Sequence, residues 1–423
     1  MPDTLADWLI YLESLHPKTI ALGLERVEAV RQRLNLAPAF PVIVVGGTNG
    51  KGSVCAMLES ILYAAGYRVG CYTSPHLLHY NERVRISRQA ASDGELCATF
   101  EKIEQARGDI PLTYFEFGTL AAMQLFIEHK VEVAILEVGL GGRLDAVNVF
   151  DGDCSVVASV DLDHTDYLGE TVEKIGFEKA GIFRRDRAAI FSGGDEVPQS
   201  LVDYATKIGA RLQCIGSEFG FTPHQGQWDY RSKTGARTAL PHPALRGAFQ
   251  LHNASAVLAA LDAIHDRLPV SMEAVRRGLT EVQLAGRFQF VSGKPQLILD
   301  VAHNPHAARA LAQNLAALPP CPHTYAVFAM LKDKDMAGVV DVLNPYIDSW
   351  LVAGIDAPRG ASSDELIEVL HRCRVKGKVV AFRDTEHAIV HACNVASEND
   401  RILVFGSFYT VAEAMRTKGV CAT

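Results

Sequence analysis

The segment VIVVGGTNGKGS (42–53) holds residue types suited to one task, gripping a chain of phosphates. Glycines let backbone N–H groups turn toward anionic oxygens, and a helix starting at the lysine adds the positive end of its dipole. Asn49, Gly50 and Gly52 contribute loop backbone, Lys51 a mobile cation, and Ser53 a hydroxyl suited to Mg²⁺. The lysine is followed by glycine and the serine comes one residue later, so the loop departs from GxxxxGK[ST]; a plain strand-to-helix turn is the competing reading. Glu137 ends an apolar run directly before a glycine-rich loop, and a buried carboxylate there needs a cation, either a metal ion or Arg143. Ser74, before Pro75, reads alone as a turn serine. On chemistry alone His164, in DLDHTD, divides between a hydrogen-bonded turn residue and an unusual partner for Mg²⁺, which prefers oxygen. Lys179, in EKAGIF, is a cation at neutral pH and reads as a helix-surface ion pair with Glu178 or Glu173. TYFE (113–116) sets Tyr114 and Phe115 between Thr113 and Glu116, and such aromatics either pack a core or stack on a flat ring. No GxSxG or other nucleophile signature occurs. The chemistry on offer is positioning and charge neutralisation.

Those residues need strands and helices to place them. Residues 41–47, 67–74, 131–139 and 154–160 are apolar β-rich runs, while 51–66 and 116–130 have helical periodicity. Such alternation predicts a mostly parallel sheet with helices on both faces, and ligands gather at the carboxyl ends of such strands. The pattern loosens over 192–245, where Lys233-Thr234-Gly235 signals a short hairpin; a helix is expected over about 250–267. A second alternating set has strands at 296–302, 324–330, 349–355, 378–383 and 401–407. The glycine-rich stretch 286–295 ends in proline and marks a boundary, giving domains 1–288 and 289–423. The fold class expected is α/β: a P-loop-type, mostly parallel sheet flanked by helices, plus a smaller C-terminal Rossmann-like α/β domain.

At 423 residues the chain is long for one core. A net charge of -8 argues against a general nucleic-acid binder. The N-terminus lacks a basic region followed by an apolar stretch, and no run is long and apolar enough for a membrane helix. Nine scattered cysteines, never spaced as CxxC, fit a reducing compartment, so a cytoplasmic protein is expected.

GTNGKGS (47–53) is more specific than a generic phosphate loop and resembles the Mur-ligase superfamily, with the Gly52-Ser53 ending resembling its folate branch. YTSPHL (72–77), TYFEFGTL (113–120), EVGLGGRLDAVN (137–148), DHTDYLG (163–169), EKAGIF (178–183), GRFQ (286–289) and LDVAHNPHA (299–307) fit that branch in order and spacing. The resemblance implies an ATP-dependent amide ligase that adds L-glutamate to dihydropteroate and to folates through an acyl phosphate. It implies two Mg²⁺ ions, one on Ser53, Ser74 and Glu137, the other on His164 and a carbamylated Lys179, and it allows a monovalent cation. Asn253, alone either an N-cap or an adenine partner, is implied to meet adenine. Arg287, Asp300 and His303, alone polar loop residues, are implied to meet phosphate, ribose and phosphate, with ATP sandwiched between domains. Thr113–Glu116 and Leu144, Asp145 and Ala146 are implied to contact dihydropteroate. A monomer is expected on the same ground. The competing readings are a Mur-type peptidoglycan-precursor ligase, a monofunctional folylpolyglutamate synthase, a P-loop NTPase switch and a degenerate nucleotide binder.

Overall fold

β-branched residues with no polar interruption make Val42–Gly46 (β1) a strand buried along its whole length. In the computed structural model, which describes residues 2–16, 20–194 and 196–421, β1 lies within an eight-stranded sheet. Its other strands are β2 (Val69–Tyr72), β3 (Val84–Ile86), β4 (Gln89–Ala90), β5 (Val133–Glu137), β6 (Cys154–Val157), β7 (Ala188–Phe191) and β8 (Arg211–Cys214). The order is β4-β3-β2-β5-β1-β6-β7-β8. Pairing is parallel from β2 through β8 and antiparallel at β3 and β4. Val45 lies opposite both Glu137 and Val156, so β1, β5 and β6 release their following loops at one level.

Eight helices accompany these strands: α1 (Leu5–Ser14), α2 (Glu25–Arg33), α3 (Lys51–Ala64), α4 (Asp93–Arg107), α5 (Tyr114–Glu128), α6 (Thr165–Leu168), α7 (Val172–Ala180) and α8 (Gln199–Ile208). Val42 and Val44 join one core with Trp8, Phe100, Phe117 and Phe126 from α1, α4 and α5. Ile43 and Val45 alternate to the other face, and α3 packs on β1, β2 and β5 outside that core. A three-stranded antiparallel sheet follows, β9 (Phe219–Pro223), β10 (Gln227–Ser232) and β11 (Gly235–Pro241), then α9 (Gln250–Ala263) and α10 (Met272–Glu281). The expected hairpin is β10–β11, and β9 extends it. Gly278 lets α10 lie against α3, since a Cβ there would meet Ile61 at 2.5 Å.

The second sheet has six strands: β12 (Gln289–Val291), β13 (Gln296–Leu299), β14 (Thr324–Phe328), β15 (Ser349–Ala353), β16 (Lys378–Phe382) and β17 (Arg401–Phe405), ordered β12-β13-β17-β14-β15-β16. All pairings are parallel except that of the short edge strand β12. The helices α11 (Pro305–Ala316), α12 (Met336–Leu343), α13 (Ser363–Arg372), α14 (Thr385–Val395) and α15 (Phe408–Lys418) alternate with these strands. Phe328, Trp350 and Phe405 meet in this core, Trp350 edge-on to both phenylalanines.

The chain thus divides into two compact units, Met1–Ala244 with Leu251–Val282, and Leu245–Gln250 with Gln283–Thr423. The short strap joins the second unit through the Ala248 N–H, which donates to Asn314 at 2.9 Å, and through Arg246, whose guanidinium lies 4.5 Å from the Phe290 ring centroid. The nine cysteines are free. No helix among the described residues is long and apolar enough to cross a membrane.

Candidate active site

The turn between β1 and α3 is held open by its partners. Gly50 caps α3 at φ 86°, a left-handed conformation that L side chains rarely adopt. A Cβ there would also meet the Asn253 side-chain oxygen at 2.7 Å. Ser159, past the end of β6, braces the loop: its hydroxyl accepts from the Asn49 N–H at 2.9 Å and donates to the Asn49 carbonyl at 3.0 Å. The Lys51 ammonium folds back on the Gly47 and Thr48 carbonyls, at 2.9 and 3.2 Å. Ser53 is buried in the first turn of α3. Asn253 lies within α9, which begins at Gln250, so it is not the cap of that helix.

Glu137 ends β5 and is buried. One carboxylate oxygen accepts the Ser74 N–H at 2.9 Å, which brings the loop after β2 onto the end of β5. The alternative of an ion pair with Arg143 is not what forms. Arg143 pairs with Glu178 at 2.9 Å. A carboxylate beside serine hydroxyls offers the hard oxygen donors that Mg²⁺ favours, with waters and phosphate to complete its shell. Among the described residues no group of three His, Cys, Asp or Glu is gathered tightly enough to hold a metal unaided.

Lys179 is not a surface residue. It lies buried near the end of α7, and neither expected carboxylate reaches it. Glu178 is taken by Arg143, and Glu173 accepts the backbone N–H groups of Gln199 and Ser200 at 3.0 and 2.7 Å. Burial, and then the nearby Lys51 cation, push the Lys179 amine down to about 7, against the pull of Asp163 and Asp145. Asp145 sits in the loop after β5, its carboxylate accepting from Leu140 at 2.8 Å and Val147 at 3.1 Å. Burial raises that carboxyl to about 7 against those backbone donors and the Lys51 charge. His164 adopts φ 51° at the head of the single turn α6, beside Asp163. A protonated amine is no metal ligand; Lys179 must first lose its proton, and a carbamate on it would offer the oxygen donors that Mg²⁺ prefers.

TYFE serves structure before it serves a ligand. Thr113 caps α5, accepting from the Glu116 N–H at 3.2 Å, while Glu116 accepts from the Thr113 N–H at 2.7 Å. Glu116 is buried and also pairs with Arg26 at 2.9 Å. Phe115 covers Gly139, where a Cβ would meet its ring at 2.7 Å, and its ring centroid lies 5.8 Å from that of Tyr72. Tyr114 stays partly open, with Arg83 over its ring at 5.4 Å. Leu144 and Ala146 flank Asp145 in the same loop. Lys51, Asp145, Asp163 and Lys179 share one electrostatic neighbourhood, and Ser74 and Glu137 form a separate contact.

In the second unit Asp300 follows β13, and both its oxygens are engaged by backbone N–H groups, Phe288 and Ala302, each at 2.8 Å. Burial raises its carboxyl, against Arg287 and those two donors. Arg287 lies 5.1 Å from the Phe408 ring centroid. His303 meets the Val301 carbonyl through Nδ1 at 2.8 Å. Sequence reasoning passed over Ser159 and Asp163, although Asp163 stands beside the selected His164; Ser159 has no signal beyond following a strand.

The chain matches the Mur ligase middle domain over residues 45–261 and the Mur ligase glutamate ligase domain over residues 286–408. It is 48% identical to the dihydrofolate synthase/folylpolyglutamate synthase of Escherichia coli K12, covering 97% of this chain and 94% of that protein. A structure of E. coli FolC in complex with DHPP and ADP matches with a TM-score of 0.94 at 46% identity, covering 99% of both chains. A bifunctional folylpolyglutamate synthase/dihydrofolate synthase with Mn, AMPPNP and L-glutamate bound matches with a TM-score of 0.91 at 47% identity, over 99% of this chain and 98% of that one.

Proposed function

The chain belongs to the Mur ligase family, in its dihydrofolate synthase/folylpolyglutamate synthase branch, and from that premise we propose that it is an ATP-dependent ligase joining L-glutamate to dihydropteroate and to folates. The observation that carries this reading is the gathering of Lys51, Lys179, Asp145 and the Ser74–Glu137 pair around the carboxyl ends of adjacent parallel strands. That edge is where open α/β sheets bind ligands.

A carboxylate is a poor acyl donor. One of its oxygens attacks the γ-phosphorus of ATP, and the bond to ADP breaks, leaving an acyl phosphate. The neutral amine of glutamate then attacks the acyl carbon, phosphate departs, and the amine loses a proton as the amide forms. The loop from Asn49 to Ser53 cradles the phosphates, and Lys51, released from the Gly47 and Thr48 carbonyls, follows the transferring group. Ser53, Ser74 and Glu137 would hold one Mg²⁺, with His164 and a carbamylated Lys179 at a second. Bound there, the ions would offset charge building on phosphate oxygens. Asn253 is proposed for adenine, Asp300 for ribose, and Arg287 and His303 for phosphate. Thr113, Tyr114, Phe115 and Glu116, with Leu144, Asp145 and Ala146, are proposed for dihydropteroate. The carboxylates of Glu116 and Asp145 also accept backbone donors, which fixes their orientation in that loop pair. A cytoplasmic location is proposed, which fits the free cysteines, and a monomer is proposed on the family resemblance alone.

The decisive experiment offers the purified protein ATP, Mg²⁺ and glutamate with dihydropteroate, then with a reduced folate, and identifies products by mass. The expected result is ADP with one glutamate added to each acceptor. ADP without an amide product, or ligation only to a UDP-linked sugar acid, would overturn the reading.

A further inference from the structure

Arg85 and Glu59 form a buried ion pair that none of the ligation chemistry uses. Glu59 is 5% exposed on α3, and Arg85 lies on β3. The two meet through Nη2 at 2.8 Å and Nε at 3.0 Å. The remaining donors of the guanidinium are also used. Nη1 donates to the Thr73 hydroxyl at 3.1 Å and to the Glu82 carbonyl at 2.8 Å, while Nη2 reaches Cys71 Sγ at 3.3 Å. A buried pair of this kind is weak as a source of stability, since apolar residues of similar volume often do as well. Its geometry has another consequence. Thr73 precedes Ser74, whose N–H is held by Glu137. Lys51, Cys55 and Glu59 stand four residues apart on α3, so they share one face of the helix that begins at the phosphate loop. The line Glu59–Arg85–Thr73–Ser74–Glu137 therefore ties the phosphate-loop helix to the proposed metal ligands.

We propose that the Glu59–Arg85 pair is a positioning device that sets Ser74 and Glu137 in register with the phosphate loop, and so tunes metal-ion affinity. It rests on the assignment of Ser74 and Glu137 to Mg²⁺. Groups that hold metal ligands in place matter in proportion to how tightly they orient them. Burial works against the Arg85 charge, but Glu59 outweighs it and holds the guanidinium protonated.

The test measures the free Mg²⁺ needed for half-maximal ligation, the KM for the folate acceptor, kcat and Tm in Arg85→Lys, Thr73→Val and Glu137→Gln. Arg85→Lys keeps the charge but loses the fork; Thr73→Val removes only the hydroxyl that receives it. Both should raise the Mg²⁺ requirement, by about tenfold for Arg85→Lys, with the acceptor KM little changed and kcat largely recovered at high Mg²⁺. If Arg85→Lys does not fold, Thr73→Val decides alone. A lowered Tm with an unchanged Mg²⁺ requirement, while Glu137→Gln raises it, would overturn the positioning role and leave the metal assignment standing. An unchanged requirement in Glu137→Gln would overturn the metal assignment and the positioning role with it.

Discussion

At the scale of single residues the site is a problem of crowded charge. Lys51 is half-buried, and its ammonium rests on two loop carbonyls. Lys51→Ala should fold normally and lose kcat by about a hundredfold or more, the usual cost of removing a group that stabilises developing charge. Single-turnover ligation by the folded variant checks this, and near-normal rates would refute the role. Lys179 carries a sharper expectation, because its amine is pushed down to about 7 from an ordinary 10.5. Below about pH 7 both folded and unfolded chains hold that proton, and the burial penalty is constant. Between about 7 and 10.5 the unfolded chain keeps a proton that the folded one has lost, so this group makes stability rise with pH. Asp145 acts in the window below: raised from 3.8 to about 7, it makes stability fall as pH climbs through that range. Lys179→Met should abolish the upper rise in ligand-free melting curves and leave the lower fall, and a retained rise would refute the assignment. A neutral amine is also what carbamylation requires: the nitrogen attacks CO₂, an N–C bond forms and a proton leaves. Activity should fall in CO₂-depleted buffer and return with bicarbonate, and Lys179→Ala should be nearly inactive. A CO₂-indifferent enzyme or an active Lys179→Ala would reject that modification.

At the scale of elements the phosphate loop depends on the helix termini and strand ends around it. Gly50 is the tightest point, with φ 86° and the Asn253 and Ala158 side chains 2.7 and 3.2 Å from where a Cβ would stand. Gly50→Ala should destabilise by about 1–2 kcal/mol from the left-handed backbone alone, and should displace Asn253. Thermal melts and the KM for ATP test this together: both should worsen, and a wild-type pair of values would show that the loop relaxes freely. Much of this was legible beforehand. The glycine–lysine spacing announced the tight turn from β1 into α3, and the β-branched runs announced β1, β5 and β6. Less legible was β8, RLQC, whose residues are only partly buried and carry little alternation. TYFE shows the limit of reading types without partners. Its threonine and glutamate form a helix cap, and the glutamate also pairs with Arg26, partners that the residue types alone do not name.

At the scale of the whole molecule each unit has its own apolar core, one around Trp8, Phe100 and Phe117 and one around Trp350, Phe328 and Phe405. Trp350→Ala should cost about 3–5 kcal/mol and should show first in hydrogen exchange of β14, β15 and β17, while β1, β5 and β6 keep their protection. Uniform loss across both sheets would mean that the two cores unfold as one. The amino-acid sequence by itself determined the glycine turn before α3, the alternation of strands and helices, two sets of α/β units and the family, because glycine, lysine and β-branched residues act over a few neighbours. Only the tertiary structure decided the pairings. Arg143 chose Glu178 over Glu137, Arg85 chose Glu59, and Lys179 lies buried in the field of Lys51 instead of on a helix surface. Ion-pair partners and desolvation depend on which distant segments the sheet brings together, and neither charge nor spacing along the chain carries that information.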